Sequence, residues 1–143
     1  MSSARRYWTW FPLVAVVLGA TAWAAFGPVG SDSREQVFVI PQGTWARRSA
    51  GEKLDVLPAE IRLTLGIKDI LVMNNQDDVP QMFGPVLIMP GQSFRLPFSV
   101  ASSNQFACTA HVSGTLTVNV EPAPAPGWER LRWRAGAILQ GNG

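Results

Sequence analysis

Three regimes of hydrophobic patterning divide the chain. Residues 7–27, YWTWFPLVAVVLGATAWAAFG, run for 21 positions without a charge, about the length a helix needs to cross the hydrocarbon core of a bilayer. From 36 to 120 the period is two. QVFVI (36–40), EIRLTL (60–65), DILVMN (69–74), PVLIM (85–89), SFRLPF (93–98), NQFAC (104–108) and GTLTVNV (114–120) are rich in β-branched and aromatic residues. Gly66, Asn74-Asn75, Pro90-Gly91 and Ser113-Gly114 punctuate them, so each run reads as a short strand. Residues 45–58 are the least strand-like and read as a loop or helical turn. The pattern predicts an all-β fold, a Greek-key β-sandwich preceded by one N-terminal transmembrane helix. The expected divisions are 1–27 for the cytoplasmic N-terminus and anchor, 28–35 for a Gly/Pro/Ser linker, 36–120 for the sandwich and 121–143 for a tail.

Charge orients the first segment. Arg5 and Arg6 precede it, which by the positive-inside rule places the N-terminus in the cytoplasm and the sandwich outside. In a bacterial inner membrane that means a single-pass protein with a periplasmic domain. Trp8 and Trp10 near one end and Trp23 near the other suit the two membrane interfaces. The alternative is a cleaved signal peptide, for which Ala20-Thr21-Ala22 and Ala22-Trp23-Ala24 are passable sites. Over 31–120 there are seven basic and eight acidic groups, so the sandwich carries no nucleic-acid-like basic face. A single Cys excludes an internal disulfide.

That Cys introduces the candidate chemistry. Cys108 stands three residues before His111, the only histidine, at the start of the last strand-like run. Thiolate and imidazole at this spacing beside a strand are how a mononuclear copper site often begins. The wider stretch, with its N-N-x-D-D-x-P-x-M-F-G-P loop (74–85), its P-G-Q turn (90–92) and F-x-C-x-x-H-x-S-G (106–114), resembles the membrane-anchored bacterial cupredoxins, relatives of plastocyanin and of the oxidase copper domain. The resemblance covers 37–120 and implies a cupredoxin-like sandwich. It also implies a copper site of one Cys and two His in a plane, with a distant axial Met or Gln.

Residue by residue, Cys108 and His111 match the Cys and the second His of that family. Gln81 stands where the first His belongs, and Leu116 where the axial Met belongs. Two of four ligands are therefore missing and all four positions, Gln81, Cys108, His111 and Leu116, read as vestigial, so no copper or other cofactor is expected. Copper belongs to the alternative reading, a membrane-tethered electron carrier with an atypical site. A Cu(I) chaperone using Cys108, Met82 and Met89 would need clustered soft ligands, and the four Met are scattered. A Cys–His nucleophilic dyad would need a cleft and oxyanion donors that nothing in the pattern indicates, so no enzyme is expected. Cys108 then reads as a small buried hydrophobe and Asp77-Asp78 as solvated turn formers.

The tail, EPAPAPGWERLRWRAGAILQGNG (121–143), opens with a semi-rigid Pro-Ala spacer. Trp128, Arg130, Leu131, Arg132, Trp133 and Arg134 follow. Read as extended chain, they alternate aromatic or apolar with basic positions. That composition belongs to partner-binding anchors and to the membrane headgroup zone. The expected partners are membrane protein subunits of a larger complex and the lipid bilayer, with no nucleic acid and no small-molecule substrate. The expected role is a structural subunit of a bioenergetic membrane complex. Overall resemblance favours a photosynthetic reaction-centre–antenna assembly, and a respiratory complex fits the residues equally well.

Overall fold

The computed structural model describes residues 11–139. In chain order its elements are α1 (Phe11–Phe26), β1 (Glu35–Ile40), α2 (Thr44–Ser49), β2 (Glu60–Thr64), β3 (Ile70–Asn75), β4 (Gln81–Phe83), β5 (Val86–Ile88), β6 (Ser93–Pro97), β7 (Ser102–Ala107), β8 (Thr115–Glu121) and α3 (Trp128–Leu139). The described residues form two compact units, one of Gly30–Ala123 and one of residues 11–29 with 124–139.

The first unit is a sandwich. One sheet has the order β1-β3-β6, a second β2-β8-β7, and β4-β5 form a separate hairpin. Both parallel contacts join strands far apart in the chain: β1 runs with β3, and β2 with β8. Parallel neighbours need a crossover, and the chain supplies one by passing from the first sheet to the second and back between β1 and β3. Alternation then fixes which faces meet. Ile40, Leu71 and Met73 of one sheet and Ile61, Leu63, Leu116 and Val118 of the other are buried in one core cluster. Phe83 of the hairpin ties the sheets together. Its ring stacks on Phe106 of β7 at 4.9 Å and meets Phe94 of β6 at 6.1 Å.

Local differences from the sequence reading have local causes. The run 85–89 belongs to a hairpin whose first strand, Gln81–Phe83, is only three residues long, too short for periodicity to register. Residues 45–58 do begin with a helical turn, α2. The tail is not extended. Gly127 takes a left-handed φ of 105°, the Glu129 carboxylate accepts the Ala125 N–H at 3.2 Å, and the twelve residues of α3 follow. An acidic group in the first turn favours that start, and Leu, Arg and Ala are good helix formers. In α1, 16 residues are helical, and no described helix is long and apolar enough to cross a membrane. Arg5, Arg6, Trp8 and Trp10, part of the expected anchor, lie outside the described residues.

An ion pair between buried Asp69 and exposed Arg34 secures the loop before β3. Asp69 is 2% exposed. Its carboxylate accepts from Arg34 Nε at 2.8 Å, from Arg34 Nη2, and from the Gly66 N–H at 2.9 Å. The Arg34 guanidinium holds the Asp69 carboxyl below its ordinary range, against the opposing effect of burial. With a folded-state value below the unfolded one, this carboxylate contributes stability above about pH 4 that is lost as pH falls through the lower folded value. Asp69→Asn should therefore lower stability modestly at neutral pH, because the exposed Arg34 guanidinium and Gly66 N–H can turn to water once the charge is gone. It should also flatten the acid limb of stability in urea titrations run downward from about pH 5. An unchanged acid limb in the variant would assign that dependence to other carboxylates.

Candidate functional site

The four positions matched to copper ligands come together at one end of the sandwich. Gln81 opens β4, Leu116 lies in β8, and Cys108 and His111 lie in the connection between β7 and β8. Backbone pairing brings the connection against the hairpin: Phe83 bridges Cys108, Gly84 N–H donates to Ala107 O at 2.7 Å, and Thr109 N–H donates to Met82 O at 3.1 Å. Within the connection, Cys108 N–H donates to Gly114 O, and His111 N–H to Cys108 O. All four side chains are buried.

A chain of hydrogen bonds joins these loops. Gln81 is 1% exposed. Its Nε2 donates to Asp77 Oδ2 at 2.9 Å, and its Oε1 accepts the Thr109 hydroxyl at 2.8 Å. Thr109 Oγ1 in turn accepts the Met82 N–H at 2.8 Å. Asp77, expected at the surface, is 2% exposed. Besides Gln81, it accepts from the backbone N–H groups of Gly43, Trp45 and Asp78, each at 2.9 Å. Four N–H donors fill the acceptor capacity of its two oxygens. Its burial has a physical source: Gly43 is the N-cap of α2 and Trp45 lies in its first turn, so Asp77 closes a helix N-terminus from another loop, where an anion is favoured. Gly43 has φ 79°, a conformation that suits glycine, and it turns its N–H to that carboxylate. Asn75 braces the same loop, donating from Nδ2 to Val79 O and Ile88 O and accepting the Asp77 N–H.

The remaining matched residues are also committed. Leu116 is an apolar core residue and offers no donor atom. His111 Nδ1 accepts the Ser113 N–H at 3.2 Å and lies 2.8 Å from the Ser113 hydroxyl, while the His111 carbonyl accepts from Arg48 Nη2 at 2.9 Å. A backbone N–H can only donate, so Nδ1 acts here as an acceptor toward the protein. Burial pushes the Cys108 thiol up, away from the thiolate that both metal binding and nucleophilic attack require. These donors do not fit a blue-copper centre. The position matched to the first His holds an amide with both ends occupied, and the position matched to the Met holds a packed hydrocarbon. Among the described residues no cluster of three His, Cys, Asp or Glu is placed to hold a metal. Over the connection lies an open depression of about 350 Å³, lined by Trp45, Arg48, Met82, Cys108, Thr109 and Val112. Met82, two of whose neighbours are buried, faces outward at its rim.

The residues singled out in the tail and anchor lie in the other unit. In α3, Trp128 and Arg132 are exposed, whereas Arg130, Leu131, Trp133 and Arg134 are half-buried. Trp23 lies near the end of α1 with the Arg134 guanidinium 5.1 Å over its ring, a cation–π contact. Sequence reasoning missed Asp77 and Thr109. The available signal was Gln81 itself, an amide in phase with Phe83 on the inward face of the hairpin, which requires partners for both its ends.

Replacing Gln81 by Leu should keep the fold but lower stability on the order of 1–3 kcal/mol, because Asp77 and Thr109 each lose a buried partner. Combined with Asp77→Ala, the losses should be non-additive in a double-mutant cycle measured by denaturation. Only the Asp77 change should speed amide exchange at Gly43 and Trp45. Strict additivity of the two losses would mean that the amide and the carboxylate act separately.

Comparison with protein-family models and with curated protein sequences finds no match for this chain. Among solved structures it is similar to a purple cupredoxin from Nitrosopumilus maritimus, at 18% identity and a TM-score of 0.40 over 59% of this chain and 98% of that one. It is also similar to an amicyanin variant in its Cu(I) form, at 17% identity and a TM-score of 0.43 over 64% of this chain and 86% of that one. Those values carry no argument about activity, and the sandwich described above rests on its own strand order and register.

Proposed function

We propose that this chain is a non-catalytic, cupredoxin-like subunit of a bioenergetic membrane complex, whose domain has exchanged a copper centre for a hydrogen-bonded clasp. The observation that carries the reading is the Asp77–Gln81–Thr109 chain. It joins the same two loops that ligands would join, and it uses both ends of the amide that stands where an imidazole is needed. A site rebuilt in this way keeps a rigid loop end without a metal and leaves no electron carrier. Support for a membrane location comes from the uncharged stretch 7–27 with Arg5 and Arg6 before it. That orientation makes the sandwich periplasmic. The exposed Trp and Arg of the tail support contact with lipid or neighbouring subunits.

Copper titration of the purified protein, read by absorption and EPR, tests the central point. Wild type should take up no stoichiometric copper and show no intense thiolate-to-copper band. Gln81→His with Leu116→Met should gain copper binding, since it returns an imidazole and a thioether to the plane and axis. A type-1 signal from wild type would establish the electron-carrier reading instead. Affinity purification from native membranes in mild detergent should recover the chain with other membrane subunits, and recovery as a lone protein would end the complex reading.

A further inference from the structure

The end of α1 is sealed to an extent that water would not require. A helix leaves its last four carbonyls without intrahelical partners. Here six consecutive carbonyls have a donor. Trp23 O accepts the Gly27 N–H at 2.6 Å and Ala25 O the Gly127 N–H at 3.0 Å. Ala24 O and Pro28 O accept from Arg134 at 2.9 and 2.8 Å, Gly27 O from Arg130 at 2.9 Å, and Phe26 O from Arg130 at 3.4 Å. The turn is tight enough that a Cβ on Gly27 would lie 2.5 Å from Trp23 O. Solvent hydrates exposed carbonyls freely, but in a hydrocarbon medium each unpaired one costs several kcal/mol. Two guanidiniums at the negative end of a helix dipole supply that pairing and complement the dipole. The rest of α1 agrees: residues 11–22 are exposed on every side within their unit and carry no charge. A helix apolar all round belongs in a nonaqueous environment.

Because Arg130 and Arg134 grip 23–28, α3 is held at the level where α1 ends. Its opposite face is exposed among the described residues. Trp128, Arg132, Ala135 and Leu139 follow helical spacing on one exposed face, with Ile138 beside them. Among the described residues Arg132 has neither an ion pair nor a side-chain hydrogen bond, unlike Arg130 and Arg134. A helix with Trp and Leu on one side and Arg at its border is built for the boundary between acyl chains and headgroups. We infer that α3 lies in the headgroup layer as a cap on α1, with Trp128, Ala135, Ile138 and Leu139 against the acyl boundary and Arg132 on lipid phosphate. This rests on the reading that α1 is embedded in a bilayer. It divides the three tail arginines into two internal seals and one lipid contact.

Position 135 offers a direct probe. Buried Cys108 should stay unlabelled under native conditions, so Ala135→Cys in the full chain can carry an environment-sensitive fluorophore selectively. The labelled protein is reconstituted into phosphatidylcholine vesicles containing phosphatidylglycerol, with brominated acyl chains in a parallel set. The expected result is flotation with the vesicles, blue-shifted emission, quenching by the brominated lipid, and several-fold weaker iodide quenching than in the denatured chain. Arg130→Leu with Arg134→Leu should remove that protection while flotation persists, and Arg132→Glu should weaken it in the anionic vesicles. Failure to float would sink the embedded-helix reading itself. Flotation with a freely iodide-accessible label would overturn only the placement of α3. Protection seen in the native complex but absent in pure lipid would overturn it in favour of a protein partner.

Discussion

A buried carboxylate with no ion-pair partner among the described residues organises one end of this sandwich. Asp77 accepts four N–H groups, two from the start of α2, one from its own loop and one from Gln81. Removing a charge from water is costly unless its acceptor sites are filled, so the three segments that supply those donors must stay in place together. Through Gln81 the constraint passes to Thr109, and through Thr109 to the hairpin backbone at Met82. The connection that carries Cys108 and His111 thus inherits its geometry from a residue on a different loop. Polar networks of this kind are stabilising when complete and unfavourable when one member is missing, which explains why no atom of the Gln81 amide is left free.

Much of the fold was legible because a sheet buried on one face imposes a period of two, and that period is plain in β3 and β8. Leu71, Met73, Leu116 and Val118 fall inward as their alternation requires. The site was legible only by subtraction. Gln81 and Leu116 stand out as the wrong residues for a metal, but nothing in a linear string shows what an amide at a core position bonds to. Its partners come from Asp77, four residues before it, and Thr109, far along the chain. Asp77 read as a solvated turn residue because its donors belong to Gly43 and Trp45, a helix start that only tertiary structure brings near. The tail posed a similar ambiguity. Trp, Leu and Arg in alternation suit an extended strand, while the same letters make a good helix once Gly127 and Glu129 start it. The acceptors for Arg130 and Arg134 are carbonyls of α1, more distant still.

The two units solve the same electrostatic difficulty with opposite means. In the sandwich, a buried anion is matched by neutral N–H dipoles. At the end of α1, carbonyl dipoles are matched by cationic guanidiniums, whose planar fork serves several acceptors at once. Arg134 alone reaches Trp23, Ala24, Gly27 and Pro28. A lysine in its place could offer charge but not that divergent geometry. The structure therefore distinguishes residues of one type by what they face, and the composition of the tail alone could not.

The parallel pairing of β2 with β8 bears on how the chain reaches this state. Glu60 lies opposite Thr117 and Thr64 opposite Glu121, so β2 has no sheet neighbour until almost the whole sandwich sequence is present. β7 is in the same position, since its own partner is β8 as well. During synthesis, the second sheet cannot begin to zip from its early strand. Contacts of such long sequence separation slow folding, and an unpaired strand left waiting is an open edge for wrong pairings. The last strand is therefore the kinetic keystone of the domain. A ribosome stalled, or a protease cutting, just before Thr115 would leave two strands of the second sheet without the template that makes them one.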